Sequence, residues 1–199
     1  FKHVDVPYDV TIVRETDPLG TGGALGNCRD VISDRFVCLN GDIISSLDMQ
    51  IGLELHEKNG GIGTLALWEV DDPTRFGIVG LDDDHRITQF KEKPKKEEVF
   101  SNLINAGSYL FEDSIFDYIP QGRSSLERDI FPKLAHEGQL NVFSFEGYFI
   151  DAGTPKSWSL GVQASIANKR WDSGKNFATN WYADDSINVD AKSTVEHTM

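Results

Sequence analysis

Residues Arg35 to Ser45 read RFVCLNGDIIS, and the architecture turns on how this stretch is read. Phe36, Val37, Cys38 and Leu39 form a short apolar run bounded by turn residues. Such a run suits a strand buried on both faces of a mostly parallel sheet. It stops at Asn40-Gly41-Asp42. In an open α/β sheet, ligands bind beyond the carboxyl ends of the strands. Asp42 is therefore expected in a cleft, with Gly41 allowing backbone or ligand to come close. Asn, Gly and Asp are also ordinary turn formers, so alone NGD reads equally well as a plain turn. A second strand end weighs against that. Tyr148-Phe149-Ile150 is another apolar run, ending in Asp151 and followed by Ala152-Gly153-Thr154-Pro155. Two strand-end aspartates match what a divalent cation held between phosphates requires.

Upstream, Val10-Thr11-Ile12-Val13 predicts a strand. Glu15 leads into Asp17-Pro18-Leu19-Gly20-Thr21-Gly22-Gly23-Ala24-Leu25, where Pro18 and three glycines predict a tight loop. A helix is expected over Ala24–Val31, its first N–H groups free for an anion. An ordinary strand-to-helix connection explains the same glycines, which are weak evidence alone. Downstream, a helix is predicted over Met49–Lys58, stopped by Asn59-Gly60-Gly61, and a strand over Gly63–Val70. Phe76–Leu81 and Arg86–Phe90 read as a hairpin whose acidic tip, Asp82 to His85, is a solvated turn.

In Phe90-Lys91-Glu92-Lys93-Pro94, Glu92 is an acceptor suited to sugar hydroxyls and Lys93 a charge suited to a phosphate. A lysine-rich exposed strand end would look the same. Asn105-Ala106-Gly107 opens a strand over Ser108–Phe111, its small residues leaving room for a ligand ring. Ser125 caps a helix closed by Gly138, which we assign to packing and not to chemistry. Strands follow over Leu140–Phe145 and Tyr148–Ile150, then a helix from Pro155 to about Trp171. Strands alternating with helices predict an α/β fold: a mixed, mostly parallel Rossmann-like sheet with helices on both faces. Residues 1–171 are expected to form one domain. Residues 172–199 are expected to be a linker and the start of a left-handed β-helix, from the hexapeptide period around Val189 and Val195.

With 199 residues, 39% hydrophobic and 26% charged, the chain has the composition of an ordinary globular protein. No apolar run is long enough to span a bilayer and no signal-peptide pattern is present, so a cytoplasmic location is expected. Cys28 and Cys38 lack metal-ligand spacing and read as reduced core residues. A net charge of −13 argues against a nucleic-acid surface. Polyphosphate can still be handled by local cations, of which Lys91, Lys93, Lys95 and Lys96 crowd one segment, together with metal ions. A dinucleotide-binding dehydrogenase is excluded because Gly20, Gly22 and Gly23 do not have the G-x-G-x-x-G spacing.

Seven stretches occur in the order found in the sugar-phosphate nucleotidyltransferases: ETDPLGTGGAL from Glu15, FVCLNGD from Phe36, FGIV from Phe76, FKEKP from Phe90, NAGSYLF from Asn105, SLERDIFP from Ser125 and GYFIDAGTP from Gly147. Val10 to Asn168 resembles that family, and the last two stretches point toward its mannose-specific members. The resemblance implies that a nucleoside triphosphate and a sugar 1-phosphate give a nucleotide-sugar and pyrophosphate, with GTP and mannose 1-phosphate giving GDP-mannose. It assigns Mg²⁺ to Asp42 and Asp151. Lys93 is assigned to the sugar phosphate, Glu92 and Asn105 to sugar hydroxyls, and Gly77 and Gly107 to close approach of the ring. Glu15, Gly20, Thr21 and Asn40 are assigned to the nucleotide. Thymidylyl, uridylyl or adenylyl transfer to glucose 1-phosphate stays open, as does a non-catalytic regulatory subunit and assembly into a homo-oligomer. The family's glycine-rich triphosphate loop, with its arginine and lysine, is not among these residues. The resemblance therefore implies that this chain alone does not turn over substrate, and that it presents apolar strand surface prone to association.

Overall fold

The computed structural model describes residues 8–82 and 86–167. The chain divides into two units, Phe1–Phe149 and Ile150–Met199. The expected β-helix start at residues 172–199 lies outside the described residues, as does most of the acidic hairpin tip.

In the first unit a short helix, α1 (Gly20–Gly26), precedes strand β1 (Phe36–Leu39), strand β2 (Ile43–Ser45) and helix α2 (Met49–Asn59). Strands β3 (Gly63–Glu69), β4 (Gly77–Leu81), β5 (Ile87–Glu92) and β6 (Leu103–Phe111) follow. A π-helical turn (Leu126–Ile130) runs into helix α3 (Phe131–His136), then strand β7 (Leu140–Ser144). The main sheet has the order β5-β4-β6-β3-β7, with β1 also pairing β6.

The sheet is mixed, but the expectation of mostly parallel strands fails. Among the described pairings only β3 with β7 is parallel, while β1–β6, β3–β6, β4–β5 and β4–β6 are antiparallel. The reason lies in β6. β1 and β3 both run antiparallel to β6 and hence parallel to each other, as a strand–helix–strand unit requires. The long antiparallel β6 is inserted between them.

Burial corrects the reading of β1 as well. The strand alternates half-buried and exposed, with Val37 46% and Leu39 59% exposed. The strands covered on both faces are β3, where Leu65, Ala66 and Leu67 are fully buried, and β6, where Ser108 to Phe111 are buried. The expected strand at Val10–Val13 is not formed: the segment has no regular secondary structure, and Ile12 is 61% exposed. A β-rich composition needs a partner edge to become a strand, and this segment has none among the described residues. The helix expected at Ala24–Val31 begins earlier and is shorter.

Two apolar layers cover the sheet. On one face Leu65, Leu67, Val79, Tyr109 and Phe111 pack with Ile115, Ile130, Phe131 and Leu134. On the other, α2 brings Met49 and Leu55 onto Ala66, Ala106 and Phe143. Helix α2 is capped by the Asp48 carboxylate, which accepts from the Gln50 amide. Gly52 lets the Phe143 ring press against the helix, where an added Cβ would lie 2.7 Å from it.

A polar strut ties α2 to both sheet strands. His56, buried, donates from Nε2 to the Glu112 carboxylate at 3.0 Å, and its Nδ1 lies 2.8 Å from the Thr64 hydroxyl. Arg35 donates to the same Glu112 oxygen at 2.7 Å and bridges to Glu57. Partial burial raises the Glu112 carboxyl, but hydrogen bonds from Arg35 and His56 outweigh it and hold the group below its ordinary value. A carboxyl lowered in the fold stabilises above its unfolded value, near 4.3, and that stability is lost as pH falls through the folded value. Urea midpoints should therefore show Glu112→Gln less stable than the parent at pH 7, with the gap closing toward pH 3. A constant gap would show that charge is irrelevant at this strut.

In the second unit, the described residues carry the end of strand β8 (Phe149–Asp151) into helix α4 (Pro155–Ala167). Pro155 opens that helix, as expected. Ser157 and Thr154 exchange hydrogen bonds at its start.

Candidate functional site

The site is organised by a bulge in β6. Leu65 of β3 faces Tyr109, whereas Leu67, two residues on, faces Asn105. Gly107, with φ +65, sits within the bulge, a conformation that favours glycine. The kinked β6 offers one edge to two strands: β1 pairs it from Ser108 to Phe111, and β4 meets it at Ile104. Asn105, Ala106 and Gly107 lie between these partners. The chain leaving β1 stays attached through the Asn40 amide, which donates to the Gly107 carbonyl at 2.8 Å. The Asn40 side chain fills the space a Cβ at Gly107 would occupy, its Nδ2 only 2.5 Å from that position. Gly107 thus seats Asn40.

Asn105 is pre-oriented. Its Nδ2 donates to the Tyr109 hydroxyl at 2.8 Å and its Oδ1 accepts from the Gly107 amide. Tyr109 is buried beneath it, and burial, reinforced by Glu127, keeps the phenol protonated far above its ordinary value. Gly77 of β4 pairs with Glu92 of β5, next to Ile78, which pairs with Ile104. A Cβ on Gly77 would meet the Glu92 carboxylate at 2.8 Å and the Phe90 ring at 2.9 Å. The register therefore places Glu92 on β5 across Gly77 of β4 from the bulged part of β6.

Glu92 is half-buried. Burial first, then repulsion from Glu127, raise its carboxyl above the ordinary value, while Lys93 and Arg128 pull it back. Lys93 has φ +46, which few non-glycine residues adopt, and its amide is held by the Phe76 carbonyl at 2.9 Å. Its ammonium is 3.8 Å from Glu92 and the side chain is 63% exposed, so the charge is accessible. Lys91, also on the surface, pairs with Glu98 at 2.9 Å.

The serine-led turn joins the site. Thr21 donates to Glu127 at 2.7 Å and accepts from the Leu126 amide at 3.0 Å, so its one proton is committed inside the protein. The helix assigned to packing thus carries a polar residue facing both the glycine segment and Glu92. The only sequence signal was the spacing Ser125-Leu126-Glu127. Gly20, at φ +74, lies against the Ser124 carbonyl, and Glu15 accepts from the Leu19 amide. Cys38, opposite Tyr109, is pushed up to about 11 by burial, then by Cys28 and Glu127, and stays a thiol at neutral pH.

Asp42 is exposed just beyond β1, and no described side chain or amide pairs with its carboxylate. A Cβ added at neighbouring Gly41 would meet nothing within 4 Å. In the second unit, Asp151 accepts from the Gly153 amide at 2.9 Å. No group of three or more His, Cys, Asp or Glu side chains suited to a metal exists among the described residues. A single exposed carboxylate such as that of Asp42 suits Mg²⁺, which keeps most of its waters and takes one or two carboxylates plus phosphate oxygens. It does not fit a protein-caged transition metal. A cavity of about 1040 Å³ along β7, lined by Leu55, Arg86, His136 and Phe143 among others, holds none of these candidate residues.

The α/β domain carries amide, carboxylate and ammonium groups on and near a strand bulge, and residues 2–166 match the nucleotidyl transferase family. The chain belongs to that family. It is 36% identical over 158 residues to the mannose-1-phosphate guanylyltransferase catalytic subunit beta of Danio rerio, covering 77% of this chain and 43% of that protein. A structure from Bacillus anthracis named for glucose-1-phosphate thymidylyltransferase, in complex with sucrose, superposes with TM-score 0.68 at 31% identity, covering 76% of this chain and 63% of the other. HddC from Yersinia pseudotuberculosis, complexed with GMP-PN, gives TM-score 0.62 at 30% identity over 75% of this chain and 64% of the other. The chain spans about half the length of the curated relatives it matches. No helix among the described residues is long and apolar enough to cross a membrane.

Proposed function

We propose that the protein forms a nucleotide-sugar and pyrophosphate from a nucleoside triphosphate and a sugar 1-phosphate, with GTP and mannose 1-phosphate as its substrates. The observation that carries this reading is the strand register that sets Asn105 on β6 and the Glu92–Lys93 pair at the end of β5 on either side of Gly77 of β4. A fixed amide and a carboxylate suit sugar hydroxyls, and an accessible ammonium beside them suits the phosphate on C1. The guanosine and mannose choices are supported by likeness to guanylyltransferases and to a GMP-PN-bound neighbour.

In this reading an oxygen of the sugar phosphate attacks the α-phosphorus in line, and the bond to the β-phosphate oxygen breaks to release pyrophosphate. Catalysis is positioning and charge neutralisation, with no covalent enzyme intermediate. Lys93 offsets charge on the sugar phosphate. Glu92 accepts from sugar hydroxyls, and Asn105 uses whatever capacity Tyr109 and Gly107 leave it. Gly77 and Gly107 seat Glu92 and Asn40 and keep the ring's approach open. Glu15, Gly20, Thr21 and Asn40 shape the nucleotide side. Asp42 and Asp151 would hold Mg²⁺, which supplies positive charge to the reacting phosphates.

The test is pyrophosphate release by the protein extended upstream of Phe1, with Mg²⁺, across GTP, dTTP, UTP and ATP and across mannose and glucose 1-phosphates. Fastest turnover with GTP and mannose 1-phosphate is expected. Preference for dTTP and glucose 1-phosphate would favour the chemistry named for the Bacillus anthracis neighbour, and no release with any pair would sink the enzyme reading. In the same assay Lys93→Ala should raise KM for sugar 1-phosphate about tenfold or more, the scale of a lost charged hydrogen bond, and leave KM for the nucleotide nearly unchanged. Equal effects on both would place Lys93 elsewhere.

A further inference from the structure

A network of hydrogen bonds joins two segments about a hundred residues apart. The Gly22 and Gly23 amides both donate to the Ser124 carbonyl, at 3.0 and 3.3 Å, and the Ser124 amide donates to the Leu19 carbonyl at 2.9 Å. These bonds hold backbone to backbone. They are possible because Gly20 and Gly23 carry no Cβ: one added there would lie 2.5 Å from the Ser124 oxygen and 2.4 Å from the Gly122 oxygen. The side-chain half of the network centres on one atom. Glu127 Oε2 accepts from the Thr21 hydroxyl at 2.7 Å and from the Ser125 hydroxyl at 2.7 Å. Thr21 in turn accepts from the Leu126 amide.

The turn that carries Glu127 is built for this. Residues Leu126–Ile130 are wound as a π-helical turn, a form that recurs at functional sites. Ser125 caps it by accepting from the Arg128 amide at 3.3 Å, and the Ser125 amide donates to Asp129 at 2.8 Å. Two hydroxyls aimed at one carboxylate oxygen form charge-assisted bonds, roughly twice as strong as neutral ones. The same carboxylate is close enough to Glu92 to disfavour its charge.

We infer that Glu127 is a positioning residue that locks the glycine-rich segment onto the serine-led turn and so fixes the nucleotide side of the site against the sugar side. This assignment of sides rests on the proposed function, whereas the lock itself is a property of the fold. Thr21 is the bolt of this lock, and Glu92 is its neighbour across the site.

The experiment uses the 199-residue chain. Amide hydrogen exchange is followed in the parent, Thr21→Val, Thr21→Ser and Glu127→Ala, and the Glu92 carboxyl is titrated by ¹³C NMR in the parent and Glu127→Gln. Thr21→Val and Glu127→Ala should speed exchange at Gly22, Gly23 and Leu126 by about tenfold, the effect of losing roughly one hydrogen bond from a local opening equilibrium. Amides of β3 and β6 should be unchanged, which also shows that the variants fold. Thr21→Ser, which keeps the hydroxyl, should restore slow exchange. Glu127→Gln should shift the Glu92 midpoint downward. Unchanged exchange in both disabling variants, failure of the serine to rescue, or an unmoved Glu92 midpoint would each overturn the inference. Separate assays keep the two readings apart. The substrate reading stands or falls on the turnover assay with the protein extended upstream of Phe1, while exchange and titration on the 199-residue chain decide the role of Glu127.

Discussion

Asp42→Ala is expected to lower turnover of the complete protein by about 10²-fold or more, the cost of removing one preorganised electrostatic group from a phosphoryl transition state. The substitution should do this without unfolding the chain. Asp42 is exposed beyond β1 and pairs with nothing among the described residues, so no buried partner is left behind. The loss should be steepest at limiting Mg²⁺ and partly relieved as Mg²⁺ is raised, because remaining ligands and phosphate oxygens can hold the ion more weakly. Steady-state pyrophosphate release against Mg²⁺ concentration measures both effects. A variant with near-normal rates at limiting Mg²⁺ would remove Asp42 from the metal site.

Phe131→Ala should be among the most destabilising single changes, at about 3–5 kcal/mol. Phe131 is fully buried and touches three aromatic rings, with centroids at 5.3 Å to Tyr109, 5.7 Å to Phe90 and 6.2 Å to Phe111. The cavity left would open beneath Tyr109, the residue that orients Asn105. It would also undermine the junction between the π-helical turn and α3. Urea unfolding should show a lower midpoint with an unchanged slope if the native fold survives. A loss below about 1 kcal/mol would mean that the neighbouring rings collapse into the space, which the aromatic packing density argues against.

The local signals in the chain are those that need no partner to act. Asn59-Gly60-Gly61 ends α2 where expected because glycine disfavours helix in any context, and Gly60 and Gly61 both take positive φ. Pro155 starts α4 for an equally local reason. The hairpin of β4 and β5 was legible from alternation and a polar tip. The hydrogen-bonding capacity of Asn105, Glu92 and Lys93 was legible from residue type, because amides, carboxylates and ammonium groups keep that capacity wherever they are placed.

What tertiary structure alone decided is pairing. Phe36–Leu39 and Gly63–Glu69 carry similar apolar runs, yet one is half exposed and the other is buried, because β3 is flanked by β6 and β7 while β1 pairs only with β6 among the described strands. Strand direction is a property of two segments, so an apolar run cannot carry it. The same holds for the site. Asn40 fits only because Gly107, far along the chain, has no side chain in its way. That the Thr21 hydroxyl gives its one proton to Glu127 was set only by the fold, since the two residues are 106 positions apart. Val10–Val13 shows the converse: the strand-forming residues are present, but a strand is stabilised by cross-strand contacts, and no described edge supplies them.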